Sequence, residues 1–215
     1  MSKFSLLTCS LAILNIALLH MLGITDLIIM IIPAIPFLYS FVYFLSCPSN
    51  SIDEASYWEI FVILFNLAMI EITDMFFVMF CYYPEKIDLS LGIVNIITIL
   101  LIQDMIFYTF HRIMHEIPIL YKNVHSTHHS RYGPIYALYV NPLDNVLTNI
   151  FPLFLSVILF PIPLWMVKIL IAYQMYNVTK AHRKGSLHEV HHLNMKKRFG
   201  TVYFMDIIFE TYWDN

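Results

Sequence analysis

Ten histidines occur in 215 residues, and nine of them, all but His20, lie between His111 and His192. His111 and His115 are spaced i, i+4, which puts both imidazoles on one face of a helix. His125, His128 and His129 form H-S-T-H-H, and His188, His191 and His192 repeat the pattern as H-E-V-H-H. In each triplet one imidazole precedes two others at i+3 and i+4, spacings that helix-borne metal sites use. Neutral imidazole is the commonest biological metal ligand. The pair and two triplets supply eight ligands, and His182, six residues before the last triplet, makes nine. Nine are too many for one first-row ion and suit two, so the residues predict a dinuclear centre. Asp104 lies upstream on the helix face that carries His111 and His115 and is placed to support one of those ligands.

Other uses of histidine explain less. Haem takes one or two axial ligands and leaves most of the cluster unused. Structural zinc closes with four ligands, often thiolates, whereas Cys9, Cys47 and Cys81 are scattered and lack metal-binding spacing. A redox-active metal fits better. A metal-transport path also recruits histidines, but it requires polar groups through several spans, and the candidates are Glu71, Asp74 and Asp104. Glu71 and Asp74 are expected to be functional or paired, with Asn66 or Asp104 as the partner.

The elements that hold these histidines belong in lipid. Hydrophobic residues make up 59% of the chain and charged residues 13%, about half the charged share of a soluble domain; mean hydropathy is +0.69. The net charge of -3 argues against a nucleic-acid partner. Phe4 to Met21, Leu27 to Leu45, Tyr57 to Cys81 and Leu91 to Phe110 each approach or exceed the roughly 20 apolar residues that a helical span needs. From Leu147 to Met175 another apolar stretch is broken by Pro152, Pro161 and Pro163, and it reads as a helical hairpin dipping into the membrane at about 145–178. Nine of the twelve Lys and Arg residues fall in the two polar stretches that also hold the histidines, which places those stretches in the cytoplasm. The predicted fold is an all-α, single integral-membrane domain over 1–215. About four transmembrane helices and the hairpin sit under a cytosolic histidine-rich cap, with 1–103 mainly anchor and 104–215 the catalytic region.

From Asp104 to Thr211 the chain resembles the fatty acid hydroxylase and sterol desaturase superfamily of membrane-bound, histidine-rich oxygenases. The resemblance rests on D-M-I-F-Y-T-F-H-R-I-M-H at 104–115, L-Y-K-N-V-H-S-T-H-H at 120–129 and H-E-V-H-H at 188–192. The ending F-G-T-V-Y-F-M-D-I-I-F-E-T at 199–211 is similar to the family's closing pattern, with Met205 and Glu210 where Trp and Gly are expected. Asn141-Pro142-Leu143-Asp144 resembles an H-P-x-E element, with Asn for His and Asp for Glu.

That resemblance implies that His111, His115, His125, His128, His129, His188, His191 and His192 ligate iron. His182 sits in a context similar to a family histidine but nearer the last triplet than is usual. The implied cofactor is two Fe ions, replaceable by Zn during purification. The implied reaction uses O2 and electrons to hydroxylate or desaturate a C–H bond of a sterol or fatty acyl chain, as in sterol biosynthesis and lipid metabolism. An endoplasmic reticulum location and an electron donor such as cytochrome b5 with its reductase follow from the same resemblance. The competing expectations are a membrane metal-binding or transport protein and an inactive member serving as a scaffold.

Overall fold

The computed structural model describes residues 39–40, 42–80 and 87–213, and every regular element among them is helical, with no strand. The expected span at Phe4 to Met21 lies outside the described residues, as does most of the one at Leu27 to Leu45. After helical residues 42–46, the elements in chain order are α1 (Ser49–Glu54), α2 (Tyr57–Phe80), α3 (Leu89–Glu116), α4 (Pro118–Leu120), α5 (Ser126–His129), α6 (Pro142–Asn145), α7 (Phe151–Leu159), α8 (Leu164–Ala181), α9 (Leu187–Leu193) and α10 (Phe204–Ile208). π-helical turns at Tyr121–His125 and Val146–Ile150 lead into α5 and α7.

Helix α3 positions much of the site. Asp88 caps it by accepting from the Ser90 and Leu91 amides. It stops where Pro118 forces Ile117 into an extended conformation. Its buried face carries Ile99, Gln103, Asp104, Tyr108, His111 and Met114, whereas Leu91, Val94, Ile97, Leu101 and Met105 remain exposed on the other side. An ordinary core helix would not leave that second stripe uncovered. Among the described residues, two helical stretches, Leu89–Glu116 and Pro142–Leu159, are long and apolar enough to cross a membrane.

The second of these corrects one expectation. Pro152 does not break the chain but lies inside the continuous helical stretch 142–159. The widened turn at Val146–Ile150 directly precedes it, and such a turn relieves the clash between a proline ring and the preceding turn. The hairpin bend falls at 160–163, around Pro161 and Pro163. Packing of α7 against α3 and of α10 against the same helix then gathers the C-terminal half around α3.

Polar side chains fasten the remaining pieces. Tyr43 donates to Ile135 O at 2.8 Å and accepts from Leu138 N at 3.0 Å, while Asn66 donates to Leu138 O and Val140 O. Gln103 and Gln174 pair between α3 and α8. Asp74 pairs with Lys168, and Glu71 accepts from Ser40; the partners expected for these acids, Asn66 and Asp104, are engaged elsewhere. Each buried acid therefore meets a donor from another segment.

Candidate metal centre

All nine predicted histidines come together, and they divide into two adjacent groups. His111, His115, His125, His129 and His191 form one; His128, His182, His188 and His192 form the other. Within each group the prospective ligand nitrogens lie within 4.8 Å of one another. The division follows helical geometry. His111 and His115 share a group, as do His125 and His129, and as do His188 and His192; each of these pairs is spaced i, i+4. The i+3 member of each triplet crosses over, His128 to the second group and His191 to the first, so the triplets interlock. His182 completes the smaller group.

The short connection between α8 and α9 makes the last placement possible. His182 ends α8, and Gly185, at a left-handed φ of 83°, turns the chain. Ser186 then caps α9, accepting from Glu189 N at 3.1 Å, and the Glu189 carboxylate accepts from Gly185 N at 2.6 Å. Glu189 of H-E-V-H-H is thus occupied in capping. The His182 and His188 rings end 4.6 Å apart between centroids.

In the five-histidine group the Nε2 atoms face one another. Separations are 3.0 Å for His111–His125 and 3.1 Å for His125–His129, His129–His115 and His115–His191. The opposite ring nitrogens decide what this means. His111 Nδ1 donates to Phe199 O at 2.7 Å and His191 Nδ1 to Lys197 O at 2.8 Å. His125 Nδ1 donates to the Asp144 carboxylate at 2.7 Å. In a neutral ring whose Nδ1 carries the proton, Nε2 presents a lone pair. Lone pairs of His111 and His125 aimed at each other across 3.0 Å repel unless a cation lies between them. Ligands about 2.1 Å from an ion and at right angles stand about 3.0 Å apart, the spacing found here.

The second group has the same character. His182 Nδ1 donates to Val178 O at 2.8 Å, leaving its Nε2 buried with no hydrogen-bond partner; His192 Nε2 is likewise buried and unpartnered. Buried polar atoms rarely remain so. His128 and His188 approach through Nε2 at 3.4 Å, and Tyr132 packs on His192 at 4.9 Å while donating to Arg183 O. Burial lowers the histidine pKa values, to about 4 for His182 and His191 and about 3 for His192. At His128 and His188 burial again dominates and neighbouring imidazoles add to it, holding both well below the ordinary value. Neutral, deprotonated nitrogens are what divalent ions require, so the donor set fits two metal ions.

Residues 96–211 match the fatty acid hydroxylase family model, just over half of the chain. The chain belongs to the fatty acid hydroxylase family. It is similar to "Fatty acid hydroxylase domain-containing protein 2" of Macaca fascicularis, 26% identical over 49% of this chain and 34% of that one, and to the human protein of the same name, 25% identical over the same shares. "Fatty acid hydroxylase ahd1" of Mycosarcoma maydis is 27% identical over 52% of this chain and 32% of that one. The matched segment spans about a third of these relatives' length. No solved structure matches the chain.

Asp104, expected to support a ligand on its own helix face, bonds no histidine directly and accepts from Thr201 N, Thr201 Oγ1, Val202 N and Met205 N. The carboxylate that does hold a histidine is Asp144, where the family pattern suggested Glu. Three backbone acceptors, Lys197 O, Phe199 O and Val178 O, escaped sequence reasoning because a carbonyl leaves no trace in residue type. Of Lys196, Lys197 and Arg198, Lys196 alone is exposed: Lys197 donates to Trp213 O, and buried Arg198 donates to Tyr212 O.

Proposed function

We propose that this fatty acid hydroxylase family member is a membrane-embedded oxidoreductase that uses O2 and electrons to hydroxylate or desaturate a C–H bond of a sterol or fatty acyl chain. The observation that carries this reading is the convergence of nine imidazoles into two adjacent groups. His111, His115, His125, His129 and His191 would hold one iron ion, and His128, His182, His188 and His192 the other. The pair, when bound, supplies reductive activation of O2 and removal of hydrogen from an unactivated C–H bond. In balance, R–H, O2, two electrons and two protons give R–OH and water; desaturation gives an alkene and two waters.

The chain's own residues set the conditions for that chemistry. Asp144, Lys197 O, Phe199 O and Val178 O accept from the Nδ1–H groups of four rings, fixing the tautomer and the ring direction. Tyr132 covers the smaller group from one side. Neutral ligands leave the ions' charge uncompensated, which favours a reduced pair poised for O2. Among the described residues no carboxylate belongs to either group of nitrogens.

A bilayer substrate is favoured by the surface of α3: only 22% of its most apolar stretch is buried, and its histidines lie near its C-terminal end. A lipid chain lying alongside α3 would reach the centre without crossing water. We place the histidine cap on the cytoplasmic side of the endoplasmic reticulum, where the exposed Lys184 and Lys196 suit an acidic donor such as cytochrome b5 with its reductase.

The test compares lipids of cells expressing the wild-type chain, His115→Ala and an empty vector. A new hydroxylated or unsaturated sterol or acyl species in the wild type alone is expected. Identical lipid profiles in all three, with the protein present in membranes and loaded with iron, would overturn the assignment.

A further inference from the structure

We infer that Asp104 and Asp206 are positioning residues for the five-histidine group: together they fix the backbone of residues 199–205 so that Phe199 O accepts from His111 Nδ1 and leaves His111 Nε2 bare. This rests on the metal-binding reading above and extends it to residues that touch no ligand nitrogen. Both carboxylates are fully buried. Asp206 accepts from Phe199 N at 2.8 Å, Gly200 N at 2.6 Å and Thr211 Oγ1 at 2.6 Å. Asp104 accepts from Thr201 N at 2.6 Å, Thr201 Oγ1 at 3.1 Å, Val202 N at 2.9 Å and Met205 N at 3.0 Å. Seven donors of one short segment and its flank thus turn inward to two acids, one of them on α3 itself.

Three features make this a clamp on the histidine rather than a general packing contact. Asp104 is seven residues, two helical turns, before His111 on the same buried face of α3, so the helix that carries the ring also anchors the segment that orients it. Gly200 lies in the jaws: a Cβ there would stand 2.7 Å from Asp104 Oδ1 and 2.7 Å from Asp206 Oδ2, a separation no side chain tolerates. The segment also holds left-handed backbone at two non-glycine positions, Arg198 at φ 59° and Tyr203 at φ 61°, conformations that cost energy and persist only where surroundings impose them. Arg198 is held by its N–H to Thr211 O at 3.0 Å and its guanidinium to Tyr212 O. On either side of Arg198 stand the two carbonyls that accept from His191 and His111. The four-histidine group receives no hydrogen bond from this segment among those described.

Asp206→Asn and Asp104→Asn are isosteric and turn one acceptor oxygen into a donor facing backbone N–H groups. Full-length protein in nanodiscs, labelled with 15N at histidine and free of metal, is examined by solid-state NMR, with His111→Ala assigning the His111 resonance. The wild type is expected to hold His111 with its proton on Nδ1, and each Asn variant to mix the two tautomers. Cobalt(II) titration of the same proteins is expected to show the five-histidine group weakened about 10- to 100-fold with an altered visible spectrum, and the four-histidine group unchanged. An unchanged His111 tautomer in the Asn variants, or equal weakening of both groups, overturns the inference. Failure of the wild type to bind cobalt, with the tautomer result intact, would instead sink the metal reading.

Discussion

Single residues set the properties of this centre through the nitrogen that faces away from it. The nine histidines are legible in the sequence because i, i+4 spacing is a statement about direction, and the three i, i+4 pairs each stay within one group. What their far nitrogens touch is not legible, since Phe199, Lys197 and Val178 act through backbone carbonyls. Asp144 is the side-chain exception. Replacing it by alanine leaves His125 Nδ1 buried without its acceptor, and metal affinity of the five-histidine group should fall about 10- to 100-fold in a competition titration, with the other group unaffected. His182→Ala removes one of four ligands from the smaller group. Metal analysis should then find that group depleted by dialysis conditions that leave the larger group full; retention of both would show His182 to be a bystander.

At the scale of elements, the long helix α3 was readable from its apolar length and the i, i+4 histidines beyond it, and the hairpin bend from two prolines two residues apart. The continuity through Pro152 was not readable, because a single wide turn at Val146–Ile150 absorbs the distortion and has no composition of its own. The same holds for buried Asp74 of α2, whose partner is Lys168 on α8, 94 residues away. Removing Lys168 alone leaves a carboxylate buried without its cation. Lys168→Met should destabilise the chain by about 3–5 kcal/mol, whereas Lys168→Met with Asp74→Leu should restore most of the loss; denaturation in detergent measures both, and equal destabilisation by the single and double changes would deny the pair its structural role. Glu189→Ala tests the cap of α9. A cost of about 1 kcal/mol with unchanged metal content is expected, and loss of metal at unchanged stability would mean that Glu189 is a ligand after all.

Taken together, the described residues present an apolar helical body with a dense cluster of neutral imidazoles at one end of α3. Such a cluster makes the metal-free fold sensitive to acid. His182, His191 and His192 titrate at about 4, 4 and 3 when folded, against an ordinary value of 6.5. Between those limits the unfolded chain binds more protons than the folded one, so stability is full above about pH 6.5 and is lost progressively as pH falls toward 4. The unfolding midpoint of metal-stripped protein should therefore drop between pH 7.5 and pH 5; a constant or rising midpoint would contradict the burial of these rings. Bound metal should offset much of the loss above pH 6, because ions bind the folded arrangement and stabilise it by mass action.

Metal content of the full-length protein, loaded anaerobically with iron and freed of excess, puts the two-group arrangement to its most direct test. Two ions per chain, counting any zinc acquired in purification, are predicted for the wild type. One ion, or none, in protein that is folded and membrane-inserted would contradict it.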